Sequence, residues 1–73
     1  MDVSLVARQD TFLDCLDAEG VRLVIPLKQV EGLWIKQPGN TLILRMVDKA
    51  LFVFTNGVSN EDLEKIIEFT SKI

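Results

Sequence analysis

Five side chains near the N-terminus are the first candidates for chemistry: the carboxylates of Asp10, Asp14, Asp17 and Glu19, and the thiol of Cys15. Oxygens at that density suit a hard cation such as calcium or magnesium, but the Asp-x-Asp-x-Asp-Gly order of a calcium loop is missing. A solvated strand edge that discourages sheet-to-sheet aggregation is the favoured reading, and no metal site is expected. Paired carboxylates for glycosidic chemistry need a cleft that raises one pKa above the other, and 73 residues leave little room for it. Cys15 attacks only as a thiolate, and its place between Asp14 and Leu16 in a predicted strand raises its pKa. Packing is its favoured role.

The absent side chains narrow the chemistry further. Histidine and tyrosine do not occur, which removes the commonest general base, the commonest metal ligand and the phenolic acid. No catalytic residue can be named, no cofactor is implied, and the chain reads as a binding protein rather than an enzyme. Gly20, Gly32, Gly39 and Gly57 are isolated, so no glycine-rich phosphate cradle exists. Lys28, Lys36 and Arg45 are the candidates for an anion-binding site if neighbouring strands bring them together; scattered solvent-facing cations are the commoner outcome. Eleven acidic against eight basic residues give a net charge of -3, which disfavours nucleic acid and anionic lipid as partners. No apolar stretch approaches the ~20 residues a membrane helix needs, and the start MDVSLVARQ has no secretory pattern. With one cysteine, no intrachain disulfide is possible, and a reducing, cytoplasmic setting is expected.

These residues must be held by elements that the pattern of turns defines. One α+β domain over residues 1–73 is expected: a small antiparallel sheet or partial barrel of five to six strands, within about 3–55, closed by an amphipathic helix at about 60–72. Runs rich in β-favouring residues cover 3–7, 11–16, 21–25, 32–36, 41–47 and 51–55, separated by turn residues. Pro26 ends the third run, and Leu27 to Val30 reads as a short turn or bulge. Gln37-Pro38-Gly39-Asn40 places Pro and Gly at the central positions of a type II turn. Ser59 is the expected N-cap, with Asp62 three residues on and Val58 and Leu63 as a hydrophobic staple. Leu63, Ile66, Ile67, Phe69, Thr70 and Ile73 form the apolar stripe, and Glu61–Lys65 and Glu68–Lys72 are i,i+4 pairs.

The strands carry an anomaly. Leu42, Leu44 and Met46 alternate onto one face while Ile43 and Val47 take the other, and Leu51 and Val53 likewise oppose Phe52 and Phe54. One helix hides one face, so the sheet curls into a barrel or a second chain covers what remains. Trp34 lies opposite Leu33 and Ile35, which read as core, and fits either a core anchor or a binding anchor. Ile43, Val47 and Phe52 or Phe54 are candidates to share its face. The candidate partner-binding residues are therefore Trp34, Ile43, Val47 and Phe52.

The stretch from Val21 to Phe69 resembles the C-terminal half of pleckstrin-homology (PH) and GRAM-like domains. Ile25-Pro26-Leu27 matches the step that ends an apolar strand there, Val30 the residue opening the next, and the segment from Ser59 the closing helix. The resemblance implies a PH-like half barrel that binds lipids or proteins, although those domains use seven strands and their lipid-binding members carry a basic strand-loop-strand without counterpart here. Pro38-Gly39-Asn40-Thr41 and the following helix are similar, more weakly, to FlbD-type small flagellar proteins. Together these features predict a non-catalytic protein-interaction module, an adaptor or homo-oligomer that meets its own copy or another protein. The alternative is a domain for a small ligand or anionic headgroup.

Overall fold

The computed structural model describes residues 1–71, so Lys72 and Ile73, with the Glu68–Lys72 pair and the last residue of the helical stripe, lie outside the described residues. The strands are β1 (Asp2–Arg8), β2 (Phe12–Asp17), β3 (Arg22–Pro26), β4 (Val30–Lys36), β5 (Thr41–Met46) and β6 (Leu51–Phe54), followed by the helix α1 (Asn60–Ser71). They form one sheet in the order β3-β2-β1-β6-β5-β4. The sheet is mixed rather than purely antiparallel, because β1 and β6 run parallel through Asp2↔Val53 and Val3↔Phe54. Two antiparallel three-strand halves, β1–β3 and β4–β6, meet at that pair.

The sheet is open: β3 and β4 are its two edges. Yet they are joined by three residues, the 3₁₀ turn Leu27–Gln29, so Pro26 and Val30 stand at most about 14 Å apart. The sheet must therefore curl until its edges approach each other at that end. Leu27 points inward and is fully buried, plugging the core where the edges converge. Leu27 N–H donates to Thr11 O and Asp17 N–H to Val21 O, so by alternation Pro26 faces the open edge of β3, where its missing N–H costs no ladder bond.

Inside the curl lie Val3, Leu13, Cys15, Ile25, Leu42, Leu44 and Phe54, all nearly inaccessible to solvent. α1 seals this face with Leu63 and Ile66, assisted by Phe69. Its start is built as the sequence predicts: Asp62 N–H donates to Ser59 Oγ (3.2 Å), Leu63 N–H to Ser59 O (2.9 Å), and the staple residues Val58 and Leu63 are both buried. Arg8 of β1 pairs with Asp62 at 3.0 Å. Asn40 Nδ2 donates to Val58 O and Asn60 Oδ1, fastening the β4–β5 turn to the helix entry. Gly57, at φ +80°, runs so close to the Gly39 carbonyl that no Cβ fits between them. The 37–40 turn has Gly39 at φ +100° and Asn40 also at positive φ, with a cis Gln37–Pro38 peptide. No described helix is long and apolar enough to cross a membrane.

Candidate interaction surface

Cross-strand pairing sorts the apolar residues of β4–β6 between the two faces. Leu33 opposes Leu44, Ile35 opposes Leu42, and Phe52 and Phe54 oppose Leu44 and Leu42, all toward the core. On the outer face Trp34 opposes Ile43, which opposes Val53, and Arg45 lies between Gly32 and Leu51. Trp34 and Leu51 are each 47% exposed, while Ile43 and Val53 are half-buried by their neighbours.

Trp34 is held in one orientation by the residue two positions before it. A Cβ on Gly32 would stand 2.8 Å from Trp34 Cη2 and 3.1 Å from Cζ3, so the six-membered ring of the indole lies back over the glycine. Arg45 reaches the ring from β5, with its guanidinium carbon 5.6 Å from the centroid, within cation–π range. A β-bulge between Val30 and Gly32 inserts Glu31 beside this residue. The Glu31 carboxylate then takes Arg45 Nε at 2.9 Å, off the line of a hydrogen bond, and Lys49 Nζ at 3.2 Å on both oxygens. The Lys49 hydrogen bond leads in holding the Glu31 carboxyl below its ordinary value, against the cost of desolvation, and the charges of Lys49 and Arg45 add to it.

Of the four expected partner-binding residues, Trp34 and Ile43 form this outer pair and the other two do not join them. Phe52 turns inward opposite Leu44, because its alternation with Leu51 is fixed by the Leu51↔Arg45 pair. Val47 lies past the end of β5, where its N–H donates to Gln29 O rather than continuing the ladder to β6. Both line a separate cavity of about 300 Å3 at the seam of the open sheet, between Val24–Pro26 of β3 and the β5–β6 turn. Of the three candidate anion-binding cations, Lys36 of β4 and Arg45 of β5 share the outer face on either side of Trp34, and Lys28 stands apart in the 3₁₀ turn.

Of the N-terminal acidic residues, Asp14 and Asp17 serve structure. Asp14 takes a two-pronged pair from Arg22 at 2.8 Å, which lowers its pKa, and Asp17 Oδ1 accepts the N–H groups of Glu19 and Val21 in the β2–β3 hairpin. Asp10 and Glu19 are exposed in turns, and among the described residues no group of three potential ligands is disposed to hold a metal. Cys15 is buried on the inner face, and desolvation, with the Asp14 charge second, pushes its thiol up to about 11. At neutral pH it is a packing group.

No family model, curated protein or solved structure significantly matches the chain. The surface must therefore be read from its own chemistry. Sequence reasoning missed Leu51, Val53, Glu31 and Lys49 as its members. The first two were within reach of strand alternation once the β5–β6 register is known; the ion pair depends on a bulge, which leaves no local signal.

Proposed function

We propose that this chain is a non-catalytic protein-interaction module whose outer sheet face around Trp34 and Ile43 meets another protein surface, its own copy or a different chain. The carrying observation is the half-exposed, oriented indole of Trp34, on the edge strand β4, at the border of an outer sheet face that no described element covers. Tryptophan is among the residues that dominate binding free energies, because it removes a large apolar area from water while losing few torsions. The lack of histidine and tyrosine and the buried, protonated thiol of Cys15 support a role without catalysis. A reducing, cytoplasmic setting belongs to the same proposal, supported by the single cysteine. So does the resemblance to the C-terminal half of PH and GRAM-like domains, supported by the Ile25-Pro26-Leu27 step and the closing helix.

Sedimentation equilibrium at micromolar concentration, combined with acrylamide quenching of Trp34, the one tryptophan, tests the proposal. Quenching that is strong in the free chain and suppressed in a complex or oligomer is the expected result. An indole equally open to quencher in every assembly the protein forms would remove the Trp34 face from the interaction.

A further inference from the structure

Charge is distributed unevenly along the chain, and the outer patch sits on its one positive stretch. Residues 27–49 carry Lys28, Lys36, Arg45 and Lys49 against Glu31 and Asp48, a net +2 within a chain of net -3. α1 alone carries Glu61, Asp62, Glu64 and Glu68 against Lys65. Around Trp34 the cations are Lys36, two residues further along the same face of β4, Arg45 over the ring, and Lys49, whose side chain is 71% exposed. The carboxylate of Glu31 offsets one of these three, and Asp2 of β1 bounds the patch beyond Val53. The result is an apolar centre of Trp34, Ile43 and Leu51 with a cationic rim.

We infer that this patch takes an acidic segment of a different protein, with an apolar side chain laid on the indole and carboxylates beside Lys36, Lys49 and Arg45. The inference rests on the interaction reading above and assigns its partner. Charge complementarity selects this occupant over the two obvious competitors. A second copy packed patch to patch would set one rim of net positive charge against another, and like charges across an interface suppress pairing. A nucleic acid would supply anions, but a long polyanion reaches beyond a patch of net +2 onto a molecule of net -3 and meets Asp2 at the patch border. A short acidic segment with an apolar anchor gains from both the rim and the indole. The indole is oriented in advance, so its ordering cost on binding is low.

Selection from a library of short random peptides against the immobilised 73-residue chain tests this. Wild-type protein should enrich peptides that combine Asp or Glu with Trp, Phe or Leu. A selected peptide should lose about tenfold in affinity on Trp34→Ser and on the double change Lys36→Glu, Lys49→Glu, and several-fold between about 0.05 and 0.5 M salt. The charge-reversed double variant, checked for folding by circular dichroism, should enrich basic peptides instead, a change that a merely structural role for the lysines does not produce. Enrichment of basic or uncharged peptides by the wild-type chain overturns the acidic assignment and leaves the interaction reading standing. Trp34-dependent binding of a thymidine oligonucleotide in preference to acidic peptides also overturns it. So does a dimer in sedimentation with Trp34 shielded from quencher, which makes a second copy the occupant. A monomer that enriches no Trp34-dependent peptide overturns both.

Discussion

Replacing Gly32 by alanine tests the geometry of the Trp34 surface directly. The new Cβ would stand 2.8, 3.1 and 3.5 Å from three atoms of the indole, against ordinary contacts of 3.4–4 Å. The atoms it meets are the far end of a half-exposed side chain rather than backbone, so the ring lifts and the strand stays. About half of the Trp34 surface is covered in the fold. Taking roughly 200 Å2 for a tryptophan and about 25 cal/mol per Å2, complete release of the ring would cost at most about 2.5 kcal/mol. A partial lift loses a fraction of that, and alanine returns about 0.5–1 kcal/mol over glycine inside a strand. The expected net destabilisation is about 0.5–1.5 kcal/mol in urea unfolding, with a red shift of Trp34 emission and easier quenching. The decisive measurement is the double-mutant cycle with Trp34→Ala. Once the indole is gone, Gly32→Ala should change sign and stabilise by about 0.5 kcal/mol. Equal destabilisation in both backgrounds, or an unshifted emission maximum, refutes the stacking argument.

Gly57→Ala should destabilise by more than about 1 kcal/mol, since it adds a left-handed strain to a backbone collision with the Gly39 carbonyl; a chemical-denaturation midpoint within error of wild type would contradict this. The Glu31 and Asp14 carboxyls titrate below their ordinary values of 4.5 and 3.8 in the folded chain, so their contribution is present above those values and is lost as pH falls through the lowered ones. Urea midpoints should therefore be flat from neutral pH down to about 5 and then fall, and Glu31→Gln with Asp14→Asn should flatten the fall. A decline just as steep in that double variant places the acid sensitivity elsewhere. For Cys15 the shift is upward, from 9.0 to about 11, so the unfolded thiol ionises first and stability declines between those values. Iodoacetamide at pH 8 should label native Cys15 far more slowly than the urea-unfolded thiol; similar rates would mean that the core opens readily.

The elements were legible in the sequence because each is punctuated locally. Ser59, Val58 and Leu63 define the helix entry by cap and staple, and Asp17 to Gly20 and Gln37 to Asn40 mark hairpins. Trp34 and Ile43 were legible as members of one face through simple alternation. What alternation does not supply is register between strands. Phe52 follows Leu51, and only the pairing of Leu51 with Arg45, set by the turn from Met46 to Ala50, decides which of the two points inward. Val47 left the face for a related reason: the β5 ladder ends one residue earlier, where the chain bonds back to Gln29. The parallel β1–β6 pair was beyond local reading, since it joins residues some fifty positions apart with no turn between them to announce it.

The curl of the open sheet explains why the surplus of apolar residues ends in two places of different character. The seam cavity lies between β3 and the β5–β6 turn of the open sheet, with Val24, Val47 and Phe52 among its walls. The Trp34 face lies on the convex side, where curling cannot help and exposure must be managed by charge. Lys36 near one edge, the bulge at Glu31 and the Arg45 guanidinium over the ring each make stacking with an identical sheet unfavourable. Those same cations favour a carboxylate. On the proposed reading Arg45 has a double role, and Arg45→Leu separates the two: it should enlarge the apolar patch and promote self-association in sedimentation while weakening any acidic peptide bound at Trp34. A variant that stays monomeric and binds acidic peptides unchanged would show that Arg45 neither guards the face nor selects what lands on it.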